Sequence, residues 1–167
     1  MQSALSNGLI TTGFGIILAG LLLALSWVDL REFRLPNALN FTLILAGLCW
    51  SYLAGNIQAA AIGAAAGYSV FVAIAWAFKR ARGIDGLGRG DAKLLAGGGA
   101  WCGWMGLPMI VLIASVLGIA FALLSSLRQT PQMQKSVPAN WIPFGPCLAV
   151  GIFAVWASAQ LSAAFAL

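Results

Sequence analysis

The sequence predicts an all-α fold, a polytopic membrane helix bundle of about six transmembrane helices with both chain ends outside. Three observations carry that reading. Charge is scarce: 8% of the 167 residues are charged and 61% are hydrophobic, against roughly a quarter charged in an average soluble domain. The few charges leave four long runs free of Asp, Glu, Lys and Arg, at residues 1–28, 35–78, 94–127 and 136–167. A spanning helix needs ~20 apolar residues, so the second and third runs are long enough to cross twice. All nine basic residues fall in three connections: Arg31 and Arg34, then Lys79, Arg80, Arg82, Arg89 and Lys93, then Arg128 and Lys135. The turns between them carry no charge, which is the positive-inside pattern.

In chain order, the first segment is residues 8–28. Met1 to Asn7 has no basic residue, so it does not read as a signal peptide, and a permanent helix is expected. The second segment is residues 38–54, closed by the turn signal Gly55-Asn56. The third is residues 57–78. The fourth, residues 92–105, is short, reaching only ~21 Å at 1.5 Å per residue. Parity nevertheless makes it a crossing, because otherwise Arg128 and Lys135 would lie outside. Gly106 and Pro108 are expected to break it, with a fifth segment over residues 109–127. A Pro-rich stretch, residues 138–146, leads to the sixth at residues 147–165. Gly63 and Gly67 have the spacing that lets helices approach closely in lipid. Residues 1–167 are expected to form one integral membrane domain with no separate soluble part.

Composition also excludes chemistry. The net charge is +5, but the basic residues sit in loops and no aromatic-interleaved basic groove exists, so nucleic acid is not an expected partner; membrane lipid is. There is no histidine, which removes Cys/His zinc sites and Ser-His-Asp or Cys-His catalysis. Cys49, Cys102 and Cys147 form no CxxC pair and read as small core residues. No metal and no cofactor are expected.

Four acidic residues remain: Asp29, Glu32, Asp85 and Asp91. Asp29 closes the first apolar run and Asp91 opens the fourth segment, so both belong at the basic, cytoplasmic end of the bundle. Ionisable groups at such positions point to function. Two facing carboxylates that share one proton suffice for hydrolysis: the ionised one draws a proton from water, and the protonated one polarises the scissile carbonyl and then protonates the leaving amine. Asp29 lies at a helix C-terminus and Asp91 at an N-terminus, which on the macrodipole argument makes Asp29 the expected holder of the shared proton. Glu32 and Asp85 read as solvated loop charges. Gly88 and Gly90, just ahead of Asp91, permit tight backbone approach; the Gly-Lys-Ser/Thr ending of a phosphate-binding loop is missing.

These residues resemble the type IV prepilin peptidases. The run Gly86-Leu87-Gly88-Arg89-Gly90-Asp91-Ala92-Lys93-Leu94-Leu95, with Gly99-Ala100-Trp101 after it, is similar to that family's GxGD segment. Asp29 followed by Arg34-Leu35-Pro36-Asn37 resembles its first catalytic segment. Pro143-Phe144-Gly145-Pro146 resembles its C-terminal Pro-Phe-Gly-Pro element. The resemblance implies an aspartyl endopeptidase of the bacterial cytoplasmic (inner) membrane with Asp29 and Asp91 catalytic. Gly88, Gly90, Lys93, Pro36, Asn37, Pro143, Phe144, Gly145 and Pro146 would then support the site. The implied partners are prepilin or pseudopilin precursors, cut at the cytoplasmic face before a hydrophobic segment. Presenilin-like peptidases share GxGD, but no Pro-Ala-Leu element stands here. Larger family members carry a cysteine-rich region and methylate the new N-terminus; this chain is expected to be the short, peptidase-only form. The alternatives are a small proton- or cation-coupled transporter, whose acids belong nearer mid-membrane, and a non-catalytic assembly scaffold.

Overall fold

The computed structural model describes residues 2–32, 35–82, 88–128 and 144–165, and these are all helix apart from short connections. The helices are α1 (Gln2–Glu32), α2 (Asn37–Leu53), α3 (Ile57–Arg82), α4 (Arg89–Arg128) and α5 (Gly145–Phe165). Four contain stretches long and apolar enough to cross a membrane: Gly8–Glu32, Ile57–Ala81, Gly90–Leu124 and Gly145–Ala163. The fifth, α2, is apolar but has only 17 residues. Large apolar side chains stand exposed around the bundle, among them Leu23, Leu45, Ile62, Val116, Ile119 and Leu161. Water tolerates no apolar belt of that extent; lipid does.

Two breaks give the bundle its path. The first is the expected turn at Gly55-Asn56. The Asn56 amide donates to the Ser51 carbonyl at 2.8 Å and the Gly55 amide to Tyr52 at 3.1 Å. Gly55 has φ 75°, which is the Schellman ending that favours glycine. The second break lies inside α4, where Gly103 has φ 70° and ψ 176°, a conformation essentially confined to glycine. The two arms of α4, residues 89–102 and 104–128, fold back on one another there. A β-carbon at Gly98 would meet Ile110 Cδ1 at 3.3 Å, although a straight helix would hold those residues ~18 Å apart. A β-carbon at Gly67 of α3 would meet both the Leu95 carbonyl oxygen at 2.8 Å and Leu107 Cδ2 at 3.2 Å, so both arms pack on α3.

The break therefore falls at Gly103, three residues before the expected Gly106, and Pro108 stays within the helix. Only Gly103 must adopt a backbone angle closed to other residues, whereas a proline near the start of an arm forfeits little more than one amide bond. The helices also outrun their apolar segments. α1 continues to Glu32 and α3 to Arg82, because basic residues can lie along exposed aromatic faces: Arg31 covers the Trp27 ring at 4.4 Å and Arg80 the Trp76 ring at 5.6 Å. Asp29 thus sits within the last turn of α1. The cysteines, expected in the core, are divided: Cys49 is exposed, and Cys102 and Cys147 are half-buried.

Packing rests on small residues and a few polar ties, as expected where lipid supplies no hydrophobic drive between helices. Gly63 of α3 and Gly99 of α4 bring their backbones into contact, and a β-carbon at Gly63 would lie 2.5 Å from the Gly99 carbonyl oxygen. Ser51 Oγ donates to the Ala100 carbonyl at 2.8 Å, and Trp101 Nε1 to that of Leu43 at 2.9 Å. Leu18, Leu25, Leu43, Leu94, Ile110 and Leu148 fill the centre.

Candidate functional site

The site grows from helix ends. α1 ends, and α2, α4 and α5 begin, at the same end of the bundle, and the contacts among them are specific. Gly90, in the first turn of α4, backs onto the α1–α2 connection: a β-carbon there would meet Leu35 Cβ at 2.9 Å. Lys93, one turn into α4, donates through Nζ to Asn37 Oδ1 at 2.5 Å, and Asn37 opens α2 after Pro36 at its N-cap. Phe144 precedes α5, and its ring would meet a β-carbon on Gly118 of the second α4 arm at 3.1 Å.

Asp29 is buried, with 7% of its surface exposed. Its Oδ2 accepts a hydrogen bond from the Gly145 amide at 3.1 Å, the first residue of α5. A β-carbon on Gly145 would lie 2.5 Å from that same oxygen, so only glycine allows this approach. The residue after it, Pro146, sits in the first turn, where its missing N–H is no loss.

Asp91 is half-buried. Its amide closes a turn onto the Gly88 carbonyl at 3.1 Å, and a β-carbon on Gly88 would come within 3.0 Å of Asp91 Oδ2. Asp91 lies within electrostatic reach of Asp29. The two acids, 62 positions apart in the chain, thus share one corner of the bundle with Leu35, Pro36, Asn37, Lys93, Phe144 and Gly145. Of the residues marked from sequence, Pro143 lies outside the described residues, as do Arg34, Asp85 and Lys135. Glu32 is exposed in the last turn of α1.

Two features escaped the sequence. The N-terminus of α5 faces Asp29, so the backbone dipoles at that carboxylate come from α5 as well as from the end of its own helix. Asn40 of α2 is 1% exposed and was not marked. The available signal was its spacing: Asn37 and Asn40 are three apart, on one helix face.

Residues 16–123 match the type IV leader peptidase family, a span that includes both acids and stops short of Phe144. Among curated proteins, the chain is 44% identical over 148 residues to a prepilin leader peptidase/N-methyltransferase of Burkholderia pseudomallei (strain 1026b), covering 87% of this chain and 45% of that one. A protein of the same description from Aeromonas salmonicida (strain A449) is 40% identical over 147 residues, covering 84% and 49%. One from Escherichia coli (strain K12) is 38% identical over 151 residues, covering 89% and 67%. The chain thus spans about half the length of the first two relatives and two thirds of the third. No solved structure matches it.

Proposed function

We propose that this chain, which belongs to the type IV leader peptidase family, is a membrane aspartyl endopeptidase that removes the leader from prepilin-like or pseudopilin precursors, with Asp29 and Asp91 as its catalytic pair. The observation that carries the reading is the meeting of those two acids at one end of the bundle, within electrostatic reach of each other. One carboxylate takes a proton from water as the oxygen attacks the scissile carbonyl. The other, protonated, gives its proton to the carbonyl oxygen, and the leaving amine is protonated as the C–N bond breaks. The Gly145 amide fixes the rotamer of Asp29, and Gly88 leaves the approach to Asp91 open.

The face of action follows from the charges. Arg31, Arg80 and Lys93 belong to the same helix ends as the acids, and basic ends remain in the cytoplasm. Counting each arm of α4 as a crossing gives six spans, both termini outside, and cleavage at the cytoplasmic face of the bacterial inner membrane. The transporter alternative loses ground, since both acids lie at helix ends rather than at mid-depth.

The deciding assay is cleavage of a leader-bearing precursor by purified protein in detergent. Asp91→Asn nearly preserves shape and removes the titratable group, so it should abolish cleavage while the protein still accumulates in membranes. Near-normal cleavage by that variant ends the aspartyl reading. Labelling single cysteines at Lys79 and Gly55 tests the orientation: the first should react from the cytoplasm and the second from outside.

A further inference from the structure

We infer that Asn40, with the cavity beside it, binds the peptide backbone of the substrate on the hydrophobic side of the bond that is cut. The inference rests on the peptidase reading above. The cavity, of about 320 Å³, lies between α2, α3 and the first arm of α4, and is lined by Asn40, Phe41, Ile44, Ala64, Tyr68 and Lys93. Lys93 stands two residues after Asp91, and its bond to Asn37 joins the mouth of the cavity to the α1–α2 connection. The cavity therefore opens at the same end of the bundle as the carboxylates, at the depth of Lys93, and continues along α2 and α3.

Asn40 is the unexplained group in it. Its side chain is almost wholly buried, yet Oδ1 has no hydrogen-bond partner. Its Nδ2 reaches only the Pro36 carbonyl, at the long distance of 3.5 Å. Buried polar atoms are nearly always paired, and an orphaned acceptor at the wall of a cavity asks for a donor from whatever fills it. One amide side chain offering a free acceptor and a loosely held donor is complementary to the N–H and C=O of an extended peptide. A lipid phosphate brings only acceptors and leaves Oδ1 unpaired. Phe41, Ile44, Ala64, Ala96 and the ring of Tyr68 make the remaining wall largely apolar. It suits a side chain of the substrate's hydrophobic segment rather than its basic leader.

The test uses the full chain in detergent and a synthetic leader-bearing peptide in which backbone amides after the cut are replaced by esters, one at a time. An ester has no N–H to give Asn40. At one position the ester should raise KM about tenfold, the ordinary worth of one hydrogen bond left unmade, with kcat little changed. Asn40→Leu should raise KM for the all-amide peptide by a similar factor and erase the penalty of that ester. An equal ester penalty in both proteins, or none at any position, overturns the inference and leaves Asn40 to water or a lipid headgroup. Should Asn40→Leu fail to accumulate, a photoreactive residue in place of Phe41 in the Asp91→Asn chain decides the matter. It should crosslink to residues just after the cut, and crosslinking to lipid or leader alone counts against the inference. If the unaltered chain cleaves no such peptide, the peptidase reading fails first, before any ester is compared.

Discussion

The two ends of the bundle are built on different principles. At the end opposite the acids, aromatic rings close the structure by packing. Phe14 lies 5.4 Å from Trp50, Trp50 lies 6.1 Å from Trp156, and Trp101 lies 6.2 Å from Trp156, the last two edge-on. Such pairs are worth ~0.5–1.5 kcal/mol each beyond their burial. Gly55 and Gly103 reverse the chain there within a residue or two. At the acid end, among the described residues, Leu35 packs on Gly90 and Phe144 on Gly118. Polar contacts between helix termini join them, Gly145 to Asp29 and Lys93 to Asn37, the first of which links residues 116 positions apart. One end can therefore lose a side chain and pay in stability, while the other pays in chemistry. The proposed hydrolytic site requires that division, since a corner packed shut would admit neither water nor peptide.

Substitutions can break or sharpen the contrast. The largest effect belongs to the acids. Asp29→Asn and Asp91→Asn should each abolish leader cleavage, and because the two act as a unit the double variant should be hardly worse than either alone; initial rates of the purified proteins measure this. Next comes Gly145→Ala. Its methyl would press on Asp29 Oδ2 and displace a carboxylate that must be held to well under an ångström, so cleavage should fall about 100-fold with little change in thermal unfolding. Equal loss of fold and activity would mean that the acid end, too, is held by packing.

At the aromatic end the order reverses. Trp101→Phe removes the bond to the Leu43 carbonyl and should lower stability by ~1 kcal/mol, read by thermal or denaturant unfolding in detergent, while cleavage per folded molecule stays near normal. A loss of turnover without a loss of stability would show that the two ends are coupled. The smallest effect is expected at Glu32, which is exposed at the end of α1. If it attracts basic leaders, its reach is one Debye length, ~8 Å at physiological salt. Glu32→Gln should then raise KM modestly at low salt, and the difference should vanish as salt is added.

What the sequence determined by itself was whatever is repeated or local. Apolar runs mark helices because every backbone amide in lipid must be bonded within its own segment, and that requirement is legible residue by residue. Basic connections mark one end of the bundle because Lys and Arg are kept out of the apolar spans and gather in alternate connections. Gly55-Asn56 states its own turn, since the φ it needs is a property of one residue. The three motifs named the residues that meet, from Asp29 and Asp91 to Phe144 and Gly145.

Tertiary structure decided which atoms touch. Two glycines, Gly103 and Gly106, lie between residues 102 and 107, with Pro108 as a third candidate breaker, and only the packing of both α4 arms on α3 selected Gly103 over Gly106. Nothing around Asp29 foretold that a helix 116 positions away would present its first amide to the carboxylate. Asn40 shares a helix face with Asn37 in the sequence, but its burial and its unpaired oxygen arise only in the packed bundle. Hydrogen bonds and close approaches between distant segments depend on distances of a few tenths of an ångström, and a linear pattern records residue types, not those distances.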